Sequence, residues 1–157
     1  IPRRARMKIH IENQRRSAKL MRARLTRLAK RVLEEEGAPE GEVGIIFGDN
    51  QYLRELNRTY AGLDSVTDVL AFSMKEGKGK EFSRNLLGDV YISWDRAEEK
   101  AKEYKVPIES ELCRLVIHGL LHLLGYEHRG ERSAQTMRKK EEHFLKWALK
   151  STERTRR

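Results

Sequence analysis

Residues 108–128 read IESELCRLVIHGLLHLLGYEH, and this stretch decides the fold. At 100° per residue, Leu112, Val116, Ile117, Leu120, Leu121, Leu123 and Leu124 cover nearly the whole circumference of a helix. A helix apolar all round belongs inside a domain. Its one polar stripe carries His118 and His122 with Glu111, next to Arg114. His118 and His122 are four residues apart, so their imidazoles project from one face about one turn apart. Gly125 suits a left-handed residue that ends the helix, after which the chain can fold back to bring in His128. Buried polar groups need partners, and a metal supplies them for all three histidines. Three neutral imidazoles leave a fourth tetrahedral position open for water, the pattern of a catalytic zinc rather than a structural one. The competing reading is two core histidines satisfied by backbone carbonyls.

Working outward, Arg6–Ile11 reads as a short strand. Arg15 to about Glu36 reads as an amphipathic helix, with Ala18, Met21, Leu25, Leu28, Ala29 and Val32 on one stripe. Gly37, Pro39 and Gly41 close it. Val43–Gly48 is a β-type run, and Asp49 or Asn50 caps a helix to about Tyr60. Thr67–Met74 and Leu86–Ser93 read as strands joined by a long hairpin loop over 75–85. Ser93 caps a helix to about Tyr104. The final amphipathic helix runs from Ser133 to about Lys150. This order predicts an α+β fold: a single small mixed β-sheet with several helices, including a zincin-like metal helix. The 157 residues fit one domain. Its expected parts are a basic strand and helix over 1–36, a metal motif over 118–128 and a C-terminal helix over 133–150.

The formal net charge is +9, and it is local. Residues 1–31 hold twelve Lys/Arg and one acid, Glu12, whereas the other 126 residues hold 21 basic and 23 acidic groups. Such a concentration suits a polyanion. The candidate contacts are Arg15, Arg16, Lys19, Arg22, Arg24, Arg27, Lys30 and Arg31; the alternative is a solvated helix face. Lys78, Lys80 and Arg84 are weaker phosphate candidates. A single cysteine, Cys113, excludes an internal disulfide framework and fits a reducing cytosol. The longest uncharged run, Leu115–Tyr126, is twelve residues. A membrane span needs about 20, so no membrane partner is expected, and a cytoplasmic protein is.

The frame H-x-x-x-H-x-x-G-x-x-H matches the metzincin protease signature except at the residue after the first histidine. That residue is Gly119 in place of the protease's general-base glutamate. The spacing therefore predicts a metal site that is not a protease.

The sequence resembles the YbeY family of bacterial endoribonucleases and ribosomal-RNA maturation factors. His118 to His128 matches its His-Gly-x-Leu-His-Leu-x-Gly-Tyr-Asp-His signature, with Glu127 for the aspartate. Leu56-Asn57 with Thr67–Phe72 resembles its LN…TDVLSF block, Leu87–Ser93 its LGD(I/V)xIS strand, and Met137 with Glu141 or Glu142 its M…E ending. The resemblance implies a zinc-dependent, single-strand-specific endoribonuclease in small-subunit ribosomal-RNA maturation and ribosome quality control. It also implies one zinc per chain on His118, His122 and His128, and the small ribosomal subunit as partner. Another divalent ion also suits imidazoles. The family's Tyr-Arg-Gly step is Tyr60-Ala61-Gly62 here, so a phosphate-binding cation is missing, and Arg58 is the candidate substitute. The proline before the family's threonine is Val66.

The proton acceptor stays open among Asp68, Asp89 and Glu127. Glu141 lies in the apolar stripe of Met137, Phe144, Leu145 and Ala148. It suits either an arginine partner, the reading favoured here, or a ligand imidazole. Cys113 reads as a small core residue. His10 and His143 belong to no motif, and Trp94, Trp147, Tyr91 and Tyr104 suit packing better than base stacking. Two alternatives to the nuclease remain: a ribosome-associated RNA-binding factor with a structural metal, and a metal-dependent hydrolase of another substrate class.

Overall fold

A computed structural model of the chain describes residues 6–15, 20–61, 68–74, 85–127 and 130–155. Its element order is β1 (Lys8–Asn13), α1 (Arg22–Glu35), β2 (Glu42–Gly48), α2 (Asn50–Ala61), β3 (Val69–Ser73), β4 (Leu86–Ser93), α3 (Trp94–Tyr104), α4 (Ile108–Leu123) and α5 (Glu131–Thr155). The strands form one sheet in the order β1-β2-β4-β3. β1 with β2 and β2 with β4 are parallel, whereas β3 with β4 is antiparallel, so the sheet is mixed and the fold is α+β, as expected.

Most element starts follow the sequence. The Asp49 carboxylate accepts from Tyr52 N at 2.8 Å and caps α2. The Ser93 hydroxyl accepts from Arg96 N at 3.2 Å and caps α3. β1 runs over Lys8–Asn13 where Arg6–Ile11 was expected, and the larger differences are in α1 and α5. α1 begins at Arg22, not Arg15, and α5 extends from Glu131 to Thr155 beyond the expected 133–150. The long loop expected over 75–85 lies outside the described residues save for Asn85.

The sheet has two unlike faces. Val90 and Val69 point at α4, where α1 and α5 complete a core built on Leu25, Leu28, Ile45, Phe47, Val116, Leu120 and Phe144. Alternation along β4 turns Asp89 and Tyr91 to the other side. There α2 lies across the sheet, its Tyr52 ring 6.1 Å from that of Tyr91 and its Tyr60 ring 5.4 Å from that of Phe72. Cys113 is fully buried in the core, and burial pushes its thiol up to about 11, as expected of an inert packing residue.

Candidate metal centre

α4 is buried almost throughout, and its register against the sheet is set by Gly119. A Cβ at this position would stand 2.3 Å from Val90 Cγ1 and 3.2 Å from Val69 Cγ2. Only a glycine allows this approach. With position 119 turned into the sheet, His118 and His122 emerge on the flank beside β3. Behind them the helix ends as its sequence suggests. Gly125 has φ +101°, its N–H donates to His122 O at 3.0 Å, and Tyr126 N donates to Leu121 O at 3.0 Å.

The two histidines line a cleft of about 540 Å³ with Asp68, Val69, Leu70, Ala71 and Ser73 on one wall and the 123–127 turn on the other. His118 Nε2 lies 3.1 Å from His122 Nε2. On the far side of its ring, His118 Nδ1 lies 2.5 Å from Glu141 Oε1, a carboxylate only 15% exposed. A neutral His118 places its proton on Nδ1, donating to Glu141, and so presents the Nε2 lone pair toward His122. This corrects the expectation that Glu141 would pair with an arginine. Arg114, one turn before His118 on α4, is held instead by Glu111, with Nη2 at 2.6 Å from Oε1 and Nε at 3.1 Å from Oε2.

The donor set fits a zinc-like ion. Two imidazole nitrogens converge on one position, and one of them has its tautomer fixed by a carboxylate, a common arrangement behind metal-bound histidines. His128, the expected third ligand, lies outside the described residues. Among the described residues no group of three or more His, Cys, Asp or Glu converges as a metal site.

The other candidates divide clearly. Asp68 lines the cleft, its Oδ2 2.5 Å from Lys100 Nζ. Burial pushes the Asp68 carboxyl up, but the hydrogen bond and charge of Lys100 outweigh it and hold the group below its usual range. Glu127 is exposed at the rim of the cleft. Asp89 faces the opposite side of the sheet, over Gly44 and near His10, so it does not reach the histidines. Burial raises its pKa, with the charge of His10 opposing. Arg58 is exposed on α2 and is not among the residues lining the histidine cleft.

The basic segment is less available than its charge suggests. Arg15 donates to Asp95 at 2.7 Å and to Glu98, and lies over the Trp94 ring. Arg22 donates to Ile11 O at 2.6 Å, and Arg24 to Ala148 O at 3.4 Å. Arg31 pairs with Glu35 at 2.7 Å over the Trp147 ring. Arg27 and Lys30 are exposed on α1, whereas Arg16, Lys19, Lys78, Lys80 and Arg84 lie outside the described residues. Four of the expected contacts thus have structural work in the fold.

One contact set was not foreseen from sequence. Tyr126 donates through its hydroxyl to Glu36 Oε2 at 3.0 Å, and Lys140 Nζ lies 2.8 Å from Glu36 Oε1 and 5.2 Å from the centre of the Tyr126 ring. Glu36 is thereby 8% exposed and ties α1, the turn after α4 and α5 together. Its hydrogen bond raises the Lys140 pKa. Tyr126→Phe deletes one bond to a charged acceptor, so urea unfolding should show a loss of about 1.5 kcal/mol; unchanged stability would show that the latch carries none.

The YbeY family model, described as endoribonuclease YbeY, matches residues 10–148. The chain is 48% identical over 126 residues to endoribonuclease YbeY of Pelotomaculum thermopropionicum, covering 77% of this chain and 82% of that one. It is 41% identical over 135 residues to endoribonuclease YbeY of Syntrophotalea carbinolica, covering 85% and 90%. The solution structure of TM1509 from Thermotoga maritima is similar with a TM-score of 0.68 at 26% identity, over 94% of this chain and 93% of that chain. With the family match running from β1 to α5, the chain belongs to the YbeY family of endoribonucleases.

Proposed function

We propose that this protein is a zinc-dependent endoribonuclease that cuts single-stranded RNA, acting in the cytoplasm on ribosomal RNA of the small subunit during its maturation and quality control. The observation that carries the reading is the facing pair of Nε2 atoms on His118 and His122, which line a cleft, with His118 Nδ1 tied to Glu141. The family supports RNA as the substrate, because the curated relatives are named endoribonucleases.

His118, His122 and His128 would hold the ion, which supplies Lewis acidity toward a phosphodiester oxygen and toward water when bound. The chain supplies the rest. Glu141 keeps the Nδ1 proton on His118 and stabilises positive charge on that ring. Of the two carboxylates that line the cleft, Asp68, held ionised by Lys100, and Glu127 at the rim, either would serve as the proton acceptor. Position 119 offers no base because it faces Val90.

The reading is tested by offering zinc-loaded protein an end-labelled single-stranded RNA and the same RNA annealed to its complement. Internal cleavage of the single strand alone, stopped by chelation and restored by zinc, is expected. Equal cleavage of both forms would reject strand specificity, and cleavage indifferent to chelator would reject the metal.

A further inference from the structure

Arg114 sits one turn before His118, as His118 sits one turn before His122, so the three share a stripe along α4. Among the described residues, its hydrogen bonds all run through Nε and Nη2 to Glu111, which is 2% exposed. The Arg114 side chain itself is 27% exposed. A guanidinium has two edges that can each meet a planar or tetrahedral oxyanion with paired donors. Glu111 occupies the inner edge and fixes the plane; the outer edge, Nη1 with the second hydrogen of Nη2, is left over. The neighbouring carboxylates do not need it. Asp68 is paired with Lys100 and Glu141 with His118.

We infer that the outer edge of Arg114 binds a backbone phosphate of the RNA next to the one held at the histidines. The inference rests on the endoribonuclease reading above. Four residues of α4 rise about 6 Å along its axis, roughly one backbone step of an extended single strand. A strand laid along the stripe would therefore put neighbouring phosphates at His118 and at Arg114. Arg114 would then take over the task of the cation missing at Ala61, from a different element. As an arginine it is charged at any working pH, and the bond from Glu111 raises its pKa further.

Removing Arg114 alone strands the buried Glu111 carboxylate, so the comparison is made in a Glu111→Gln background as well. Binding of a fluorescent single-stranded RNA is measured between low and high salt, and cleavage is measured in parallel. Arg114→Met, alone and with Glu111→Gln, should weaken binding and raise KM about tenfold, with kcat changed far less. The slope of log affinity against log salt should become shallower by about 0.7, the loss of one phosphate contact on a single strand. Arg114→Lys should restore the slope but only part of the affinity, because a lysine lacks the fork. Unchanged affinity and slope in the folded double variant would overturn the inference, as would a fall in kcat with KM intact. If the parent protein binds RNA without cutting it, the slope still decides for Arg114 while the nuclease reading fails. If it cuts RNA and the double variant binds normally, only the Arg114 inference falls. If it binds no RNA, both do.

Discussion

Gly119→Glu should leave the protein unfolded or nearly so, and it should not create a peptidase. In the protease frame that this chain nearly matches, the residue after the first histidine supplies the general base. Here its Cβ would stand 2.3 Å from Val90 Cγ1, a fully buried atom group, with Val69 on the other side. A glutamate at this place is both overpacked and an unpaired carboxylate against aliphatic walls. Either fault costs kilocalories, and together they should exceed about 4 kcal/mol, a large share of the usual 5–15 kcal/mol of a domain. Gly119→Ala separates the two faults. It gains up to about 1 kcal/mol in helix propensity but loses about 1–3 kcal/mol to overpacking, so urea unfolding should show a net loss. A Gly119→Glu protein as stable as the parent would mean that α4 does not lie on β4 as described.

Glu141→Ala should weaken zinc binding by about 10- to 100-fold, the usual effect of removing the group behind a ligand histidine. Glu141→Gln should do less, because the amide oxygen still accepts from Nδ1–H but carries no charge. The 2.5 Å approach of Oε1 to His118 Nδ1 is the reason. Competition against a chromophoric chelator measures the affinity without recourse to RNA. Had Glu141 served only an arginine, the affinity would not move.

The helix α4 was the most legible part of the chain. Its apolar surround, polar stripe and stop glycine are local properties, and α4 with the turn at Gly125 follows them closely. The sequence also showed that Gly119 lacks a base. It did not show why, because Val90 and Val69 reach that position from strands distant in the chain. Glu141 posed the same difficulty. Its place within an apolar stripe marked it as inward-facing, but the choice between an arginine and an imidazole depended on how α5 crosses α4. The start of α1 failed for a related reason. The apolar spacing runs back through Met21, yet Arg15 is claimed by Asp95 and Glu98, some 80 residues away, and the helix begins only at Arg22. Charge was legible as a sum and not as a surface. Arg22 and Arg24 look the same in sequence as Arg27 and Lys30, but the first two satisfy backbone carbonyls. A single step of strand alternation, which the sequence reading left open, puts Asp89 on the face away from α4 while Val90 meets Gly119.

If the paired histidines of α4 form the metal site that drives RNA cleavage, losing one of them must cost both the metal and the activity. The direct measurement compares zinc-loaded parent and His122→Ala for bound zinc and for cleavage of one single-stranded RNA. Loss of a ligand should abolish stoichiometric zinc and lower the cleavage rate at least about a hundredfold, with the fold retained, because the several kilocalories of transition-state stabilisation that a metal supplies would go with it. His122→Ala that cuts RNA at the parental rate would show that the paired histidines do not drive cleavage.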